Sequence, residues 1–440
     1  MNYLIILLCL TIALIRFKIL KLYLDPGAYF AIFWAILVSL ASLRLYGLDG
    51  ISEFGYFVMF IGILGYFFGD LLYVSLNKNK GKFQTNLGVK NKEFKLNERL
   101  LFVLYIITLI ILFYNLINVI KLLIDGNSYL AIRTMYSNQG STNLADGYNE
   151  VLRSALNVVL VQFISTPVVY ASISILFVNL FMGNNNKWMF KFTVLMAILW
   201  ILTSGGRSII LWSIINFFFC SLYFKKKVKL KKRTKRLLIF SCLIILIIVV
   251  MVTSSRRIGK EFNILRQIYI YFPVALKNFD VHLSNISKMN IQKTYGLSSF
   301  YGFVYPIIFI IHNIFGMKYP DLLIDARYYS FTMLEKDVSV GNGIWMNAYA
   351  TIFYQPYLDG GILGVFLFLA FFGFLCKCFY AKICKGINER NLVIYLYLMQ
   401  KILFSHVRFY FTQTQQALAL LIILIVYVYF PKDKFMAGKQ

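Results

Sequence analysis

Apolar residues run in long blocks along most of the chain, and polar residues collect between the blocks. The blocks are roughly 15–25 residues long, the length of helix that crosses the hydrocarbon core of a bilayer. Their positions predict about eleven membrane helices, near residues 2–15, 29–45, 54–76, 100–123, 154–182, 190–203, 208–224, 237–253, 361–379, 391–404 and 417–430. Gln162 and Pro167 inside the fifth block predict a kink, because proline removes a helical donor and crowds the preceding turn. The short alternating segments of a membrane barrel are not what the pattern shows. The fold class read from this pattern is an all-α polytopic integral membrane protein, one transmembrane domain over 1–440. No internal repeat stands out. The first block lacks a basic n-region and an A-x-A-like site, so no cleavable signal peptide is expected.

One stretch breaks the pattern. From Thr253 to about Gly361 the chain is too polar for lipid and too long for a connector. Loops longer than about 15 residues are usually functional or disordered. The Tyr, Phe and Ile content of this one argues against disorder. It is expected to be a large outer loop, at about 254–360, that contains short helices and folds over a cavity in the membrane face. Within it, Val304–Phe315 is apolar but too short to span, and reads as a re-entrant or interfacial helix.

Composition sharpens this picture. The 440 residues are 60% hydrophobic and 14% charged, with mean hydropathy +0.70; a soluble domain has about 25% charged residues. The formal net charge of +27 would fit a nucleic-acid binder, but its placement does not. Most of the 45 Lys and Arg fall in loops that the alternation of helices puts on one side, above all the run Lys225–Arg236. That is the positive-inside bias, so the charge records topology and no nucleic-acid partner is expected. The six cysteines lie in helices or near their basic ends, without metal-site spacing. Neither a metal nor a cofactor is expected.

Topology does not explain the cations on the opposite, outer side: Arg133, Arg207, Arg256, Arg257, Arg266 and Arg408. An arginine left unpaired at membrane depth costs at least ~2.5–3.5 kcal/mol, so such residues point to function. The guanidinium fork also matches phosphate oxygens. Gly205 and Gly206, just before Arg207, allow a tight reversal with φ > 0 between two helices. The exposed amides of such a turn, with the next helix N-terminus, would form an anion site. Asp359, in Asp359-Gly360-Gly361, has two readings: an N-cap for the ninth helix, or a general base or sugar-hydroxyl ligand. His282 and His406 are placed on the outer side and would titrate near neutrality, whereas His312 sits in an apolar run and reads as structural. Tyr269, Tyr271, Tyr301 and Tyr305 are candidates for stacking on sugar rings.

The Gly205–Ser208 turn between central helices, the long late outer loop, and Asn347-x-x-x-Thr351 followed by Asp359-Gly360-Gly361-x-x-Gly364 together resemble the bacterial oligosaccharide repeat-unit polymerases, the Wzy-type enzymes of O-antigen and capsule assembly. The resemblance covers the whole chain by topology and only those two stretches by motif. It implies a metal-independent glycosyltransferase of the bacterial cytoplasmic membrane with its active site facing outward. The enzyme would join undecaprenyl-pyrophosphate-linked oligosaccharides, working beside a flippase and a chain-length regulator. Arg133, Gly206, Arg207, Arg256, Arg257, Arg266, Asn347 and Arg408 would bind substrate or its pyrophosphate. O-antigen ligases carry a histidine at the start of the late motif; here the sequence reads Trp345-Met346-Asn347, which leaves Asp359 or His406 as the base. A flippase or exporter of the same lipid-linked sugar, or a ligase-like transferase, are the alternatives.

Overall fold

The computed structural model describes residues 1–78, 93–129, 131–133, 152, 154–184, 186–206, 208–224, 266, 269, 271–289, 291–386 and 388–430. In chain order its helices are α1 (Asn2–Leu14, continued by a π-helical turn Ile15–Ile19), α2 (Pro26–Ser42), α3 (Glu53–Lys78), α4 (Glu98–Ile124), α5 (Ala155–Leu160), α6 (Thr166–Met182), α7 (Lys187–Ser204), α8 (Ser208–Phe224), α9 (Val274–Met289), α10 (Tyr301–Phe315), α11 (Asp321–Arg327), α12 (Tyr354–Lys385), α13 (Glu389–Leu403) and α14 (Thr414–Val426). Strands β1 (Val338–Gly341) and β2 (Ile344–Met346) form an antiparallel hairpin that pairs Val338 with Met346 and Ser339 with Trp345.

The chain is a predominantly α-helical membrane protein. Among the described residues, six helical stretches are long and apolar enough to cross a bilayer: Asn2–Ile19, Glu53–Asn77, Glu98–Ile124, Ala155–Met182, Lys187–Ser204 and Tyr354–Lys385. Helices α2, α8, α10 and α14 are apolar but shorter. Of the eleven expected spans, the one at 237–253 lies outside the described residues, and the one at 391–404 is the 15-residue α13. At the kink expected in the fifth block there is a π-helical turn, Val161–Ser165, which ends two residues before Pro167. The proline cannot donate to the preceding turn, and the wider turn absorbs the mismatch.

The chain falls into two compact units. One comprises Met1–Lys95, Ile264–Ala417 and Tyr429–Gln440; the other comprises Leu96–Asn263 and Leu418–Val428. In the first unit, α3 and α12 form the tightest seam. Gly62, Gly65 and Gly69 lie along α3, and a β-carbon on Gly65 or Gly69 would run into the backbone of Phe366 or Ala370. Gly373 answers from α12 against the carbonyl of Tyr66. Small residues at this spacing let two helix backbones approach where lipid supplies no hydrophobic driving force.

The first unit has two chemically different ends. At one, α2 starts with Asp25 as N-cap, accepting from the Ala28 amide at 3.1 Å, with Pro26 at the first helical position. Asp25 and Asp70 of α3 are each bonded by one terminal nitrogen of Arg16. Lys377 of α12 lies 2.6 Å from Asp25 and 3.3 Å from Asp70. Two cations and two carboxylates thus close a buried ring of ion pairs across α1, α2, α3 and α12. At the other end lie the 45–52 turn, α9–α11, the hairpin and the loop 404–413. Helix α9 is tied there by Asp280, whose carboxylate accepts from Ser52 and lies 2.9 Å from Lys277.

Candidate functional site

The second end of the first unit gathers the late motif. Its core is a pairing of two loop segments, 350–352 and 405–407. The amides of Ala350, Thr351 and Ile352 donate to the carbonyls of Val407, His406 and Ser405 at 3.0, 3.2 and 2.7 Å. Trp34 Nε1 of α2 donates to Ser405 Oγ at 3.1 Å, and the Phe409 amide donates to Gln355 Oε1 at 3.1 Å. The segment carries two left-handed residues that are not glycine, Ala348 (φ 66°) and Thr351 (φ 64°). For a β-branched residue that backbone is strained, and such strain collects at functional sites.

His406 stands in this loop, buried, with its ring among Phe33, Tyr271, Phe272 and Phe404 at centroid distances of 5.4, 6.0, 5.2 and 6.1 Å. Neither ring nitrogen has a hydrogen-bond partner. Arg408, two residues on, is half-buried and donates from Nη2 to the carbonyl of Ala348 at 3.1 Å. Asn347 is exposed, and its Nδ2 lies 3.4 Å from the carbonyl of Glu335. The structure therefore brings Asn347, His406 and Arg408 to one strained loop pair. Arg266 is exposed.

His282 and His406 do not titrate near neutrality as expected. Burial disfavours the imidazolium and pushes both His282 and His406 down to about 4. His282 is buried on α9, with its ring 5.6 Å from that of Tyr354, and its nitrogens are also without a partner.

Asp359 is not the N-cap of a helix that starts after it. Within α12, Gly360 (φ −155°, ψ 19°) and Gly361 (φ 62°, ψ −143°) separate a short helical segment that starts at Tyr354 from the long apolar helix that follows, and no amide of that helix bonds the carboxylate. Only a residue without Cβ takes the second conformation readily, which is what this Gly-Gly pair supplies. The carboxylate instead turns to the segment before α10. Oδ1 accepts from Thr294 Oγ1 at 2.6 Å and the Ser298 amide at 2.9 Å, and Oδ2 accepts from the Ser299 amide at 2.9 Å. Asp359 is 2% exposed, and both its oxygens are engaged. With both oxygens bonded, the carboxylate has the geometry of a latch between α12 and the 294–299 turn rather than of a base with a free oxygen.

In the second unit, the Gly205 turn has the expected left-handed backbone (φ 64°). A β-carbon there would lie 2.9 Å from Arg133 Cδ, so the arginine stem rests on the turn. Trp200 covers Gly206 closely enough to forbid a side chain. The Gly205 and Gly206 amides, expected to be exposed for an anion, are both engaged. Gly205 N donates to Ile201 O at 2.9 Å, and Gly206 N donates to Ser204 Oγ at 3.1 Å. Arg207, Arg256 and Arg257 lie outside the described residues.

Among the tyrosines proposed for sugar stacking, Tyr301 and Tyr305 are buried and stack on each other at 5.1 Å. Tyr269 is held by Leu45 N and Leu40 O. Tyr271, 37% exposed beside Tyr349 and His406, is the one placed at the loop pair.

Two buried features escaped the sequence reading. The ion ring has one legible member, Asp70 within an apolar block, but its partners are far apart in sequence. Lys401 on α13 is 3% exposed, bonded to Gln416 Oε1 and packed over the rings of Tyr397 and Tyr410 at 4.2 and 4.9 Å. Among the described residues, no cluster of His, Cys, Asp or Glu could hold a metal ion. No family model, no curated protein and no solved structure matches the chain.

Proposed function

We infer that the chain is a membrane glycosyltransferase of the oligosaccharide repeat-unit polymerase class. In this reading it sits in a bacterial cytoplasmic membrane, with the 347–359 and 404–409 segments facing outward. Its substrates are undecaprenyl-pyrophosphate-linked oligosaccharides. A flippase that delivers them and a chain-length regulator are the partners it would need.

One observation carries the reading. An uncharged buried imidazole and a guanidinium stand two residues apart in a loop that is paired to strained backbone. The acceptor hydroxyl oxygen would attack the anomeric carbon of a second chain and form the new glycosidic bond. The bond from that carbon to the pyrophosphate oxygen would break, and the hydroxyl proton would pass to the His406 imidazole. Arg408 would stabilise the departing pyrophosphate, since a fixed cation acts where charge develops. Asp359, with both oxygens occupied, is no longer the preferred base; its role here is to hold α12 against the 294–299 turn.

The test is reconstitution of the purified protein with a lipid-linked repeat unit. The expected result is a polymer ladder, with one undecaprenyl pyrophosphate released per new linkage. His406→Ala should slow linkage by about 10²–10⁴-fold while the protein stays folded. The buried ion ring favours a second reading, an exporter, because ionisable residues within the bundle can mark a transport path. Movement of the lipid-linked sugar across the bilayer without any joining would select that reading.

A further inference from the structure

Buried polar groups that find no partner collect around one short stretch, 349–355. Asn278 and His282 lie one helical turn apart on α9 and share a face. Asn278 Nδ2 donates to the Tyr349 carbonyl at 2.6 Å, while its Oδ1 has no partner. His282 packs on Tyr354, and both its nitrogens are unpartnered. Gln355 accepts from Phe409 through Oε1, and its Nε2 is unpartnered. His406, whose carbonyl accepts from Thr351, adds two more orphan nitrogens. All four side chains are no more than 1% exposed. Buried polar atoms are hydrogen-bonded in more than roughly 90% of cases, so this many exceptions at one place need an explanation.

The chemistry of the set is specific. It has no net charge: burial keeps both imidazoles neutral, and the other two groups are amides. A neutral imidazole offers one donor and one acceptor, Gln355 Nε2 offers donors, and Asn278 Oδ1 offers an acceptor. Sugar hydroxyls are both donors and acceptors and carry no charge. Phosphate would require cations or several donors on one side. We propose that Asn278, His282 and Gln355, together with His406, form a subsite that binds the neutral hydroxyls of the substrate sugar. The subsite rests on the glycosyltransferase reading and extends it by separating sugar recognition from pyrophosphate recognition. His282 is a binding residue in it.

The experiment uses the full-length protein in lipid nanodiscs and two probes, a lipid-linked repeat unit and undecaprenyl pyrophosphate alone. His282→Phe keeps an aromatic ring against Tyr354 and removes both nitrogens. Exchange of an unsatisfied polar group for an apolar one of similar shape is neutral or stabilising, so this variant should melt no lower than wild type. Its affinity for the repeat unit should fall about tenfold, the effect of losing one or two neutral hydrogen bonds. Its affinity for undecaprenyl pyrophosphate should not change. His282→Gln, which again offers a donor and an acceptor, should recover part of the loss. Unchanged repeat-unit affinity in His282→Phe would overturn the subsite and leave ordered water as its occupant. A wild-type protein that binds the repeat unit no better than undecaprenyl pyrophosphate would instead sink the glycosyltransferase reading, and the subsite with it.

Discussion

The two ends of the first unit treat buried polarity in opposite ways. At one, Arg16, Asp25, Asp70 and Lys377 answer one another in a closed ring, and no side chain of the four is more than 13% exposed. At the other, His282, His406, Asn278 and Gln355 are at least as deeply buried and leave hydrogen-bonding atoms unmatched. Paired charges hold four helices in register, although Asp70 Oδ1 makes no hydrogen bond and meets Lys377 only as an ion pair at 3.3 Å. Unsaturated neutral groups hold little by themselves and gain when a ligand arrives. The comparison separates a structural cluster from a recognition site on physical grounds, and each claim can be broken by mutation.

The largest effect should come from the ion ring. Arg16→Met leaves Asp25 and Asp70 facing a single lysine in a buried setting, and an uncompensated buried charge costs about 3–5 kcal/mol. The variant should show a strongly lowered melting temperature in detergent and poor accumulation in membranes. Adding Asp70→Leu removes the extra carboxylate and leaves the Lys377–Asp25 pair at 2.6 Å complete. The double variant should therefore recover most of the loss. An Arg16→Met protein that melts like wild type would mean that the ring holds nothing.

At the opposite end, the effect should appear as pH dependence. Burial lowers each of His282 and His406 from 6.5 to about 4 in the folded protein. Between those values the unfolded chain binds the proton and the folded chain does not, so stability is complete above about 6.5 and falls as the pH drops toward 4. At 1.36 kcal/mol per unit, each ring accounts for about 3 kcal/mol over that range. Thermal melts of wild type and of the His282→Phe, His406→Phe double variant should diverge steadily below pH 6.5, with the variant less sensitive to acid. Parallel curves would show that the rings are not held neutral by burial.

These tests bear on what the sequence made legible. Block length revealed the long helices, because a bilayer imposes a minimum span that composition records directly. Pro167 marked the place of the π-helical turn, and the left-handed turn was readable at Gly205, since both are local backbone effects. Val304–Phe315 was expected as a short helix, and α10 runs Tyr301–Phe315. What stayed hidden depended on distant partners. The ion ring joins residues from four separate stretches of the chain, although Gly65-x-x-x-Gly69 carries the seam that brings α3 to α12. Burial, which no local pattern displays, turned the two histidines from switches near neutrality into groups that stay neutral until the pH falls to about 4. The Gly205 and Gly206 amides were consumed by Ile201 and Ser204, a matter of one side-chain rotamer and one helical bond.

Asp359 gives the smallest and most discriminating test, because it lies at the unsaturated end and yet is saturated. As a latch, its carboxylate satisfies Thr294 Oγ1 and two backbone amides. Asp359→Ala strands those donors, and each buried unsatisfied group costs roughly 1–3 kcal/mol. Asp359→Asn keeps one acceptor oxygen but turns an NH₂ group toward a donor, so it should lie between wild type and Ala in melting temperature. For a latch, the turnover of the molecules that remain folded should stay near wild type in both variants at a temperature well below their melts. For a general base, Asn would preserve most of the stability yet lose about 10²–10⁴-fold in rate, because an amide oxygen cannot take up the proton. Rate and melting temperature measured on the same two proteins thus assign the residue. The latch is excluded if Asp359→Asn melts close to wild type and fails to join sugars.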